Sequence, residues 1–293
     1  MYKNLPILFF NFYHSGDIFN SKAFVKEIID SLNVCAFYAH NAHFKVLCDL
    51  NVQQFKLQEI FPSIVNEKIL VTQEFVLVNT WIGAYFTKES SCTLNFSYNM
   101  YKDIYSNLNI LYENNLILNS NPIEYFPSIN FDKVNVNSIN DYLKEDFNKK
   151  VLICNGPALS NQSLRYNGNM QNIILDLAST YKDITFICTE NSFNCSLKNV
   201  LFTDDLTKRT DCDLNEISYL SKFCDVVVGR SSGPFSFSLT KDNMLDLNKT
   251  FICFGDKITD CFQYGTSTNS KFIFEQFSSE ENLLSIIKNT IHA

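Results

Sequence analysis

The chain has no block of lysine and arginine. Its 24 basic side chains are outnumbered by 31 acidic ones, leaving a net charge of −7 and a pI near 5.1. Neutralising a nucleic-acid backbone needs clustered cations, so general nucleic-acid binding is excluded, while a local anion site stays open. No apolar run reaches membrane length either. The N-terminal stretch Leu5–Phe12 is too short to span a bilayer, has no basic region before it, and runs into His14-Ser15-Gly16-Asp17 with no small-residue cleavage site. Ten cysteines lie scattered without a C-x-x-C pair, which excludes a zinc ribbon or a dithiol redox motif. Cys154, Cys188 and Cys253 sit in apolar runs as small core residues, and a reduced, cytoplasmic setting is expected. Neither a G-x-G-x-x-G nor a P-loop is present, so the common dinucleotide and ATP fingerprints are absent. The four N-x-S/T sequons, at Asn95, Asn161, Asn194 and Asn248, are what chance supplies in so Asn-rich a chain.

What remains is globular: 46% hydrophobic and 19% charged residues exclude a disordered chain. Pro6–Phe12 reads as a buried strand, Tyr13–Ser21 as a polar turn, Lys22–Leu32 as an amphipathic helix and Val34–Tyr38 as a second strand. Strand, helix and strand in so short a span form a βαβ unit with parallel pairing. Ile69–Val71 and Phe75–Val78 are further strands, and Tyr98–Leu111 a helix. The segment from Asn119 to Lys150 is rich in Asn, Pro, Ser and charge and reads as a linker, with Ser138–Phe147 as a helix inside it.

The alternation then restarts. Strands are expected at Val151–Cys154, Ile184–Thr189, Asn199–Phe202, Asp225–Gly229 and Thr250–Phe254. Helices are expected at Gln171–Thr180, Leu214–Lys222 and Glu280–His292. The fold class is therefore α/β, with two Rossmann-like domains, residues 1–145 and 146–293, whose parallel sheets face a central cleft. Ligands in such folds bind beyond the C-terminal strand ends.

Five groups of residues at those ends could carry chemistry. Asp17 follows the first strand through Ser15-Gly16, and a carboxylate there could take the proton of an attacking hydroxyl. The same triplet is also ordinary turn and helix-start chemistry. His14 is a second general base, titrating naturally near neutrality. His40 and His43 follow the second strand and are expected to line an acceptor site. In the second half, Asp225-Val-Val-Val-Gly229 empties into Arg230-Ser231-Ser232-Gly233-Pro234. Amides of such a loop can cradle a diphosphate, and Arg230 can pair with it bidentately. A plain strand-ending turn is the alternative. The only three arginines, Arg165, Arg209 and Arg230, all fall in loops of this half, from which planar cations can reach one phosphate site. Asp211-Cys212-Asp213 has the D-x-D pattern of a metal–nucleotide site, but it precedes a helix that Asp213 would cap. No metal site is expected.

The order of these pieces resembles a known family. Ser15-Gly16-Asp17-Ile18 follows the first strand, and Val151-Leu-Ile-Cys-Asn155-Gly156 opens the second half. Leu214-Asn-Glu216-Ile-Ser-Tyr-Leu220 then leads to Asp225-Val-Val-Val-Gly229 and Ser232-Gly233-Pro234. Together these look like the heptosyltransferase-type GT-B glycosyltransferases of family nine. The resemblance implies a nucleotide-sugar donor held mainly by the second half, with Ser231, Ser232 and Gly233 as its donor-phosphate loop; Asn155, Gly156, Arg165 and Arg230 complete the expected donor site. It implies a glycan or glycolipid acceptor held mainly by the first half, with Asp17 at the catalytic-base position. Arg230-Ser231 stands where the family usually has Asn-Asp, and Phe235-Ser236-Phe237 replaces a histidine after the Gly-Pro, so heptose specificity does not carry over. The implied reaction is direct displacement with inversion and without a cofactor or metal ion, as part of cell-surface glycan synthesis. A glycolipid acceptor would bring the protein to a membrane surface. The alternatives are a sugar-nucleotide epimerase or hydrolase of the same shape, or a non-catalytic binding or assembly subunit.

Overall fold

The computed structural model describes residues 4–57, 67–85, 94–158, 164–208, 211–258 and 268–292. They divide into two units, the first running to Ile129 and the second from Asn130 onward.

The first unit holds a five-stranded sheet. Its strands are β1 (Ile7–Asn11), β2 (Ala36–His40), β3 (Gln53–Lys56), β4 (Ile69–Val71) and β5 (Val76–Asn79), in the order β3-β2-β1-β5-β4. All neighbours are parallel except β4, which runs antiparallel to β5 as an edge strand. Alternation along β1 sends Ile7 and Phe9 to one face and Leu8 and Phe10 to the other. Helix α1 (Ser15–Leu32) packs on β1 through a stripe that includes Ile18, Phe24, Val25 and Ile28, all fully buried. Helix α2 (Leu94–Tyr112) lies beside α1, where Phe24 stacks on Tyr101 at 4.1 Å and on Tyr125 at 4.3 Å. Phe10, Ala39 and Leu77 form a separate apolar cluster with Leu8, Phe12, Leu57 and Phe75.

Helix α1 begins at Ser15, so the polar turn expected over Tyr13–Ser21 is mostly the first turns of the helix. The reason is local. The His14 amide donates 3.3 Å to Asp17 Oδ2, the reciprocal half of a capping box. Ile18 and Phe19 give the new first turn a buried face. Asn33 ends the helix in the left-handed conformation, φ 51°, which Asn tolerates better than most residues.

The second unit begins with helix α3 (Asn137–Glu145), which Tyr219 ties down by donating 2.7 Å to Asn140 Oδ1. The division between the units thus falls at Ile129/Asn130 rather than at residue 145. The sheet contains β6 (Lys149–Cys154), β7 (Ile184–Cys188), β8 (Val200–Phe202), β9 (Val226–Gly229), β10 (Thr250–Gly255) and β11 (Lys271–Gln276). Its order is β11-β10-β9-β6-β7-β8 and every pairing is parallel. Helices α4 (Gln171–Thr180) and α9 (Glu280–His292) bury Ile173, Ile174, Leu177, Leu283 and Ile287 in one core with Val151, Ile153, Val226 and Val228. Short helices α5 (Thr203–Thr207), α6 (Leu214–Ser221), α7 (Gly233–Ser238) and α8 (Lys241–Leu245) complete the unit. α7 packs on β9 and sets Phe235 edge-on to Phe251 of β10 at 6.1 Å. Cys154 and Cys188 are free and buried as expected, whereas Cys253 is disulfide-bonded, which corrects its reading as a reduced core residue. Among the described residues no helix is long and apolar enough to cross a membrane.

Candidate functional site

Numbering the second sheet from β6 gives the order 3-2-1-4-5-6, with the chain reversing direction between β6 and β9. Such a switch point opens a crevice beyond the C-terminal ends of the two central strands. Cys154 is in register with Gly229, so Asn155-Gly156 and Arg230-Ser231 leave the sheet side by side.

The two loops are locked together by Arg230, which is fully buried. Its Nη2 donates to the carbonyls of Asn155, Gly156 and Gly168 at 2.9, 2.7 and 2.8 Å, and its Nη1 donates to Tyr166 at 3.3 Å. The guanidinium also lies over the Tyr166 and Phe254 rings at 5.7 and 5.5 Å. Arg230 therefore points into the protein rather than at a diphosphate, correcting the bidentate role expected from the sequence. The physical reason is that four carbonyls converge on its fork and take up its Nη1 and Nη2 donors. Burial lowers its pKa, opposed by Tyr166, but an arginine remains charged. Among the described residues its hydrogen bonds go to backbone carbonyls and none to a carboxylate, so the loop encloses a positive charge met by backbone dipoles and two ring faces.

Other bonds hold the same loop. Asn167 and Ala158 exchange two hydrogen bonds, at 2.8 and 3.1 Å. Asp256 accepts from the amides of Leu164 and Arg165 at 2.9 and 3.1 Å. The loop ends at Met170, in the left-handed region at φ 60°, a conformation costing about 1–3 kcal/mol for a non-glycine residue. Arg165 has its backbone pinned and its side chain exposed, which leaves it as the loop's outward cation. Arg209 lies outside the described residues.

Asn155 is buried and bridges strands. Its Nδ2 donates 2.8 Å to the Glu190 carbonyl, and the Glu190 amide returns 2.9 Å to its Oδ1. Glu190 thus stands just beyond β7 with its carboxylate against Gly156, where a Cβ would come within 2.5 Å of Glu190 Oε2. Glu190 belongs to no motif that the sequence displays. Its signal is positional, an acid just past the second strand of a doubly wound sheet. On the facing loop, Ser232 occupies the N-cap position of α7 without a capping bond from its side chain, and among the described residues its buried Oγ has no partner. Ser231 and Gly233 flank it, both half-buried.

Asp213 is the N-cap residue of α6, but its carboxylate accepts from Thr207 Oγ1 at 3.2 Å and makes no capping bond. Asp211 accepts from the Cys212 amide at 2.6 Å.

In the first unit the strand ends carry a different chemistry. Asn11, Thr80 and Tyr38 form a buried polar cluster. Asn11 Nδ2 reaches Thr80 Oγ1 at 3.2 Å, Tyr38 Oη pairs with the same oxygen at 2.5 Å, and Ser21 donates to the Thr80 carbonyl at 2.8 Å. Asp17 lies above, half-buried in the first turn of α1. Burial raises its pKa above the ordinary carboxylate range, opposed by the hydrogen bond from His14 and by that residue's charge. His14 is exposed beside it. His40, in register with Asn11, is buried with Nε2 against Gln54 Oε1 at 2.9 Å, and burial lowers its pKa. His43 is exposed and caps a 3₁₀ turn by accepting from the Lys45 amide at 3.2 Å. Asp17 and His14 thus come together, while His40 and His43 each have a structural task of their own.

The chain is similar in structure to the glycosyl transferase family 9 protein from Veillonella parvula, with TM-score 0.51 and 9% identity, covering 100% of this chain and 99% of that one. It is also similar to ADP-heptose LPS heptosyltransferase II from E. coli, with TM-score 0.53 and 10% identity, covering 98% of this chain and 99% of that one. At such identity the likeness establishes the fold, which is that of the GT-B glycosyltransferases. No protein-family model matches the chain, and no curated protein matches it in sequence.

Proposed function

We propose that the protein is a glycosyltransferase whose second unit holds a nucleotide-sugar donor and whose first unit supplies the acceptor site and the general base. The observation that carries this reading is the switch point itself, where Asn155-Gly156, Glu190 and Ser231-Ser232-Gly233 converge over the buried Arg230 charge. Glu190 is placed to accept hydrogen bonds from the ribose hydroxyls. Gly156, lacking a side chain, leaves room for that carboxylate to sit against the backbone. Ser231, Ser232 and Gly233 offer hydroxyls and amides to the diphosphate, Arg165 offers the exposed cation, and Arg230 contributes field from beneath without contact. Preorganised charge of this kind stabilises a departing diphosphate without a divalent ion.

The acceptor hydroxyl attacks the anomeric carbon as the bond to the diphosphate breaks, and its proton passes to Asp17. A pKa held high by burial makes that carboxylate a stronger base than an exposed one. His14 is the neighbouring base, and His43 borders the acceptor side.

The test is release of nucleoside diphosphate from a panel of nucleotide sugars in EDTA, with and without saccharide acceptors. Acceptor-dependent release with a new glycosidic bond is expected. Release or epimerisation that ignores the acceptor would replace transfer with sugar-nucleotide hydrolysis or epimerisation. No reaction and no binding across the panel would end the reading.

A further inference from the structure

Two adjacent strands of the first unit end in the same way. Asn11 terminates β1 and its Oδ1 accepts from the Tyr13 amide at 2.9 Å; Asn79 terminates β5 and its Oδ1 accepts from the Trp81 amide at 2.9 Å. Such turns, in which an Asn side chain takes the place of a backbone carbonyl, fix the direction of the residue two positions on. Because β1 and β5 are paired in parallel, with Phe10 opposite Asn79, the matched turns aim both aromatic rings at one place. There Tyr13 and Trp81 stack with centroids 3.8 Å apart and planes 24° apart.

The stack is built on purpose-shaped ground. A Cβ on Gly83 would fall 2.1 to 2.5 Å from three atoms of the Trp81 benzo ring, so no side chain fits there while Trp81 keeps its place. Tyr13 remains 36% exposed at the edge of this stack. Its backbone continues directly into His14, whose amide holds the Asp17 carboxylate.

We infer that the Tyr13–Trp81 stack is a platform for the pyranose ring of a carbohydrate acceptor. This rests on the glycosyltransferase reading and specifies the acceptor's chemistry. A rigid aromatic stack offers an apolar face with a polar rim. A pyranose offers the complement, a face of C–H bonds bordered by hydroxyls. A sugar resting on Tyr13 would present its rim to the residues that follow, His14 and Asp17. The aromatic surface recognises the sugar ring, and the carboxylate takes the proton of one of its hydroxyls. A flexible lipid tail would gain nothing from so planar and so small a surface.

Trp81 is the only tryptophan in the chain, so its emission reports on the platform without a label. The experiment titrates the full chain with methyl glycosides of glucose, galactose, mannose and N-acetylglucosamine and with a tetrasaccharide of the last. In parallel, nucleoside diphosphates are titrated by calorimetry. At least one saccharide should change the Trp81 emission saturably. Tyr13→Ala should weaken that response about tenfold, and Tyr13→Phe, which keeps the ring, should retain it. Nucleoside diphosphates should bind by calorimetry while leaving the emission unchanged. No saturable response to any saccharide, a Tyr13→Ala titration identical to the parent's, or a response to the nucleotides in place of the sugars would overturn the platform. Failure of nucleotides to bind, with the saccharide response intact, would instead remove the donor reading and leave a carbohydrate-binding protein.

Discussion

Asn155 and Glu190 hold each other by two hydrogen bonds, side-chain amide to carbonyl at 2.8 Å and backbone amide to side-chain oxygen at 2.9 Å. That reciprocal pair joins the ends of β6 and β7 and keeps the Glu190 carboxylate over Gly156. If the carboxylate receives ribose hydroxyls, Glu190→Gln removes the charge from those bonds. Nucleoside diphosphate affinity should fall by about tenfold or more, since bonds to charged groups contribute about 1.5–3 kcal/mol. A 2′-deoxynucleotide should lose a comparable amount on the parent and little further on the variant. Equal calorimetric affinities for parent and variant would remove Glu190 from the site.

Arg230 and Arg165 should separate cleanly. Arg230→Ala leaves the carbonyls of Asn155, Gly156, Tyr166 and Gly168 without their donor. Only the Asn155 carbonyl belongs to a buried residue, and a buried group left unsatisfied costs about 1–3 kcal/mol, so denaturant unfolding should show a loss of at least about 1 kcal/mol. Lysine should not rescue it, having three donors on a point charge where the guanidinium has five in a planar fork. Arg165→Ala, at an exposed side chain, should change stability by no more than about 0.5 kcal/mol and weaken nucleotide binding. An Arg230→Ala protein of parental stability would contradict the staple.

Asp17 links stability to activity. Between the ordinary carboxylate pKa and its raised value, the folded state holds a proton that the unfolded state has lost, so stability falls as pH rises through that window. Asn keeps an acceptor oxygen for the His14 amide and carries no charge. Asp17→Asn should therefore melt higher than the parent at neutral pH, and the gain should vanish at pH values where the carboxyl is protonated in both states. Turnover should fall by about 10²–10⁴. The parent's rate should rise with pH through a pKa above the usual carboxylate range, a step the variant lacks. A variant that transfers sugar within a few-fold of the parent would shift the base to His14.

Much of the fold could be read from the chain because its buried strands are short apolar runs between polar loops. Val151–Cys154 and Asp225–Gly229 are examples, and their pairing follows from the parallel crossover rule. The edge strand β3 escaped because Gln53–Lys56 is largely exposed and shows no apolar run; β11 escaped although Phe272-Ile273-Phe274 is apolar, because that run is short, only half-buried and flanked by charge. The start of α1 was hidden by Ser15-Gly16-Asp17, which reads as a turn until Ile18 and Phe19 are seen to be buried.

At the site, the order of motifs located both loops, yet the direction of Arg230 depends on Tyr166 and Gly168, more than 60 residues upstream. No local pattern encodes a contact at that separation. The paired Asn-x-aromatic endings were legible in principle, as Asn11-Phe12-Tyr13 and Asn79-Thr80-Trp81. Their meaning appears only once β1 and β5 are known to be neighbours.

Thermal unfolding of the full chain with nucleoside diphosphates in EDTA shows whether the switch point holds a nucleotide without a metal ion. At least one of UDP, ADP, GDP or CDP should raise the melting temperature with saturation. A ligand at 100 times its Kd should add about 2.7 kcal/mol to stability, and magnesium or manganese should not be needed. No stabilisation by any of the four, or stabilisation that appears only when a divalent ion is restored, would contradict the account and return attention to Asp211-Cys212-Asp213.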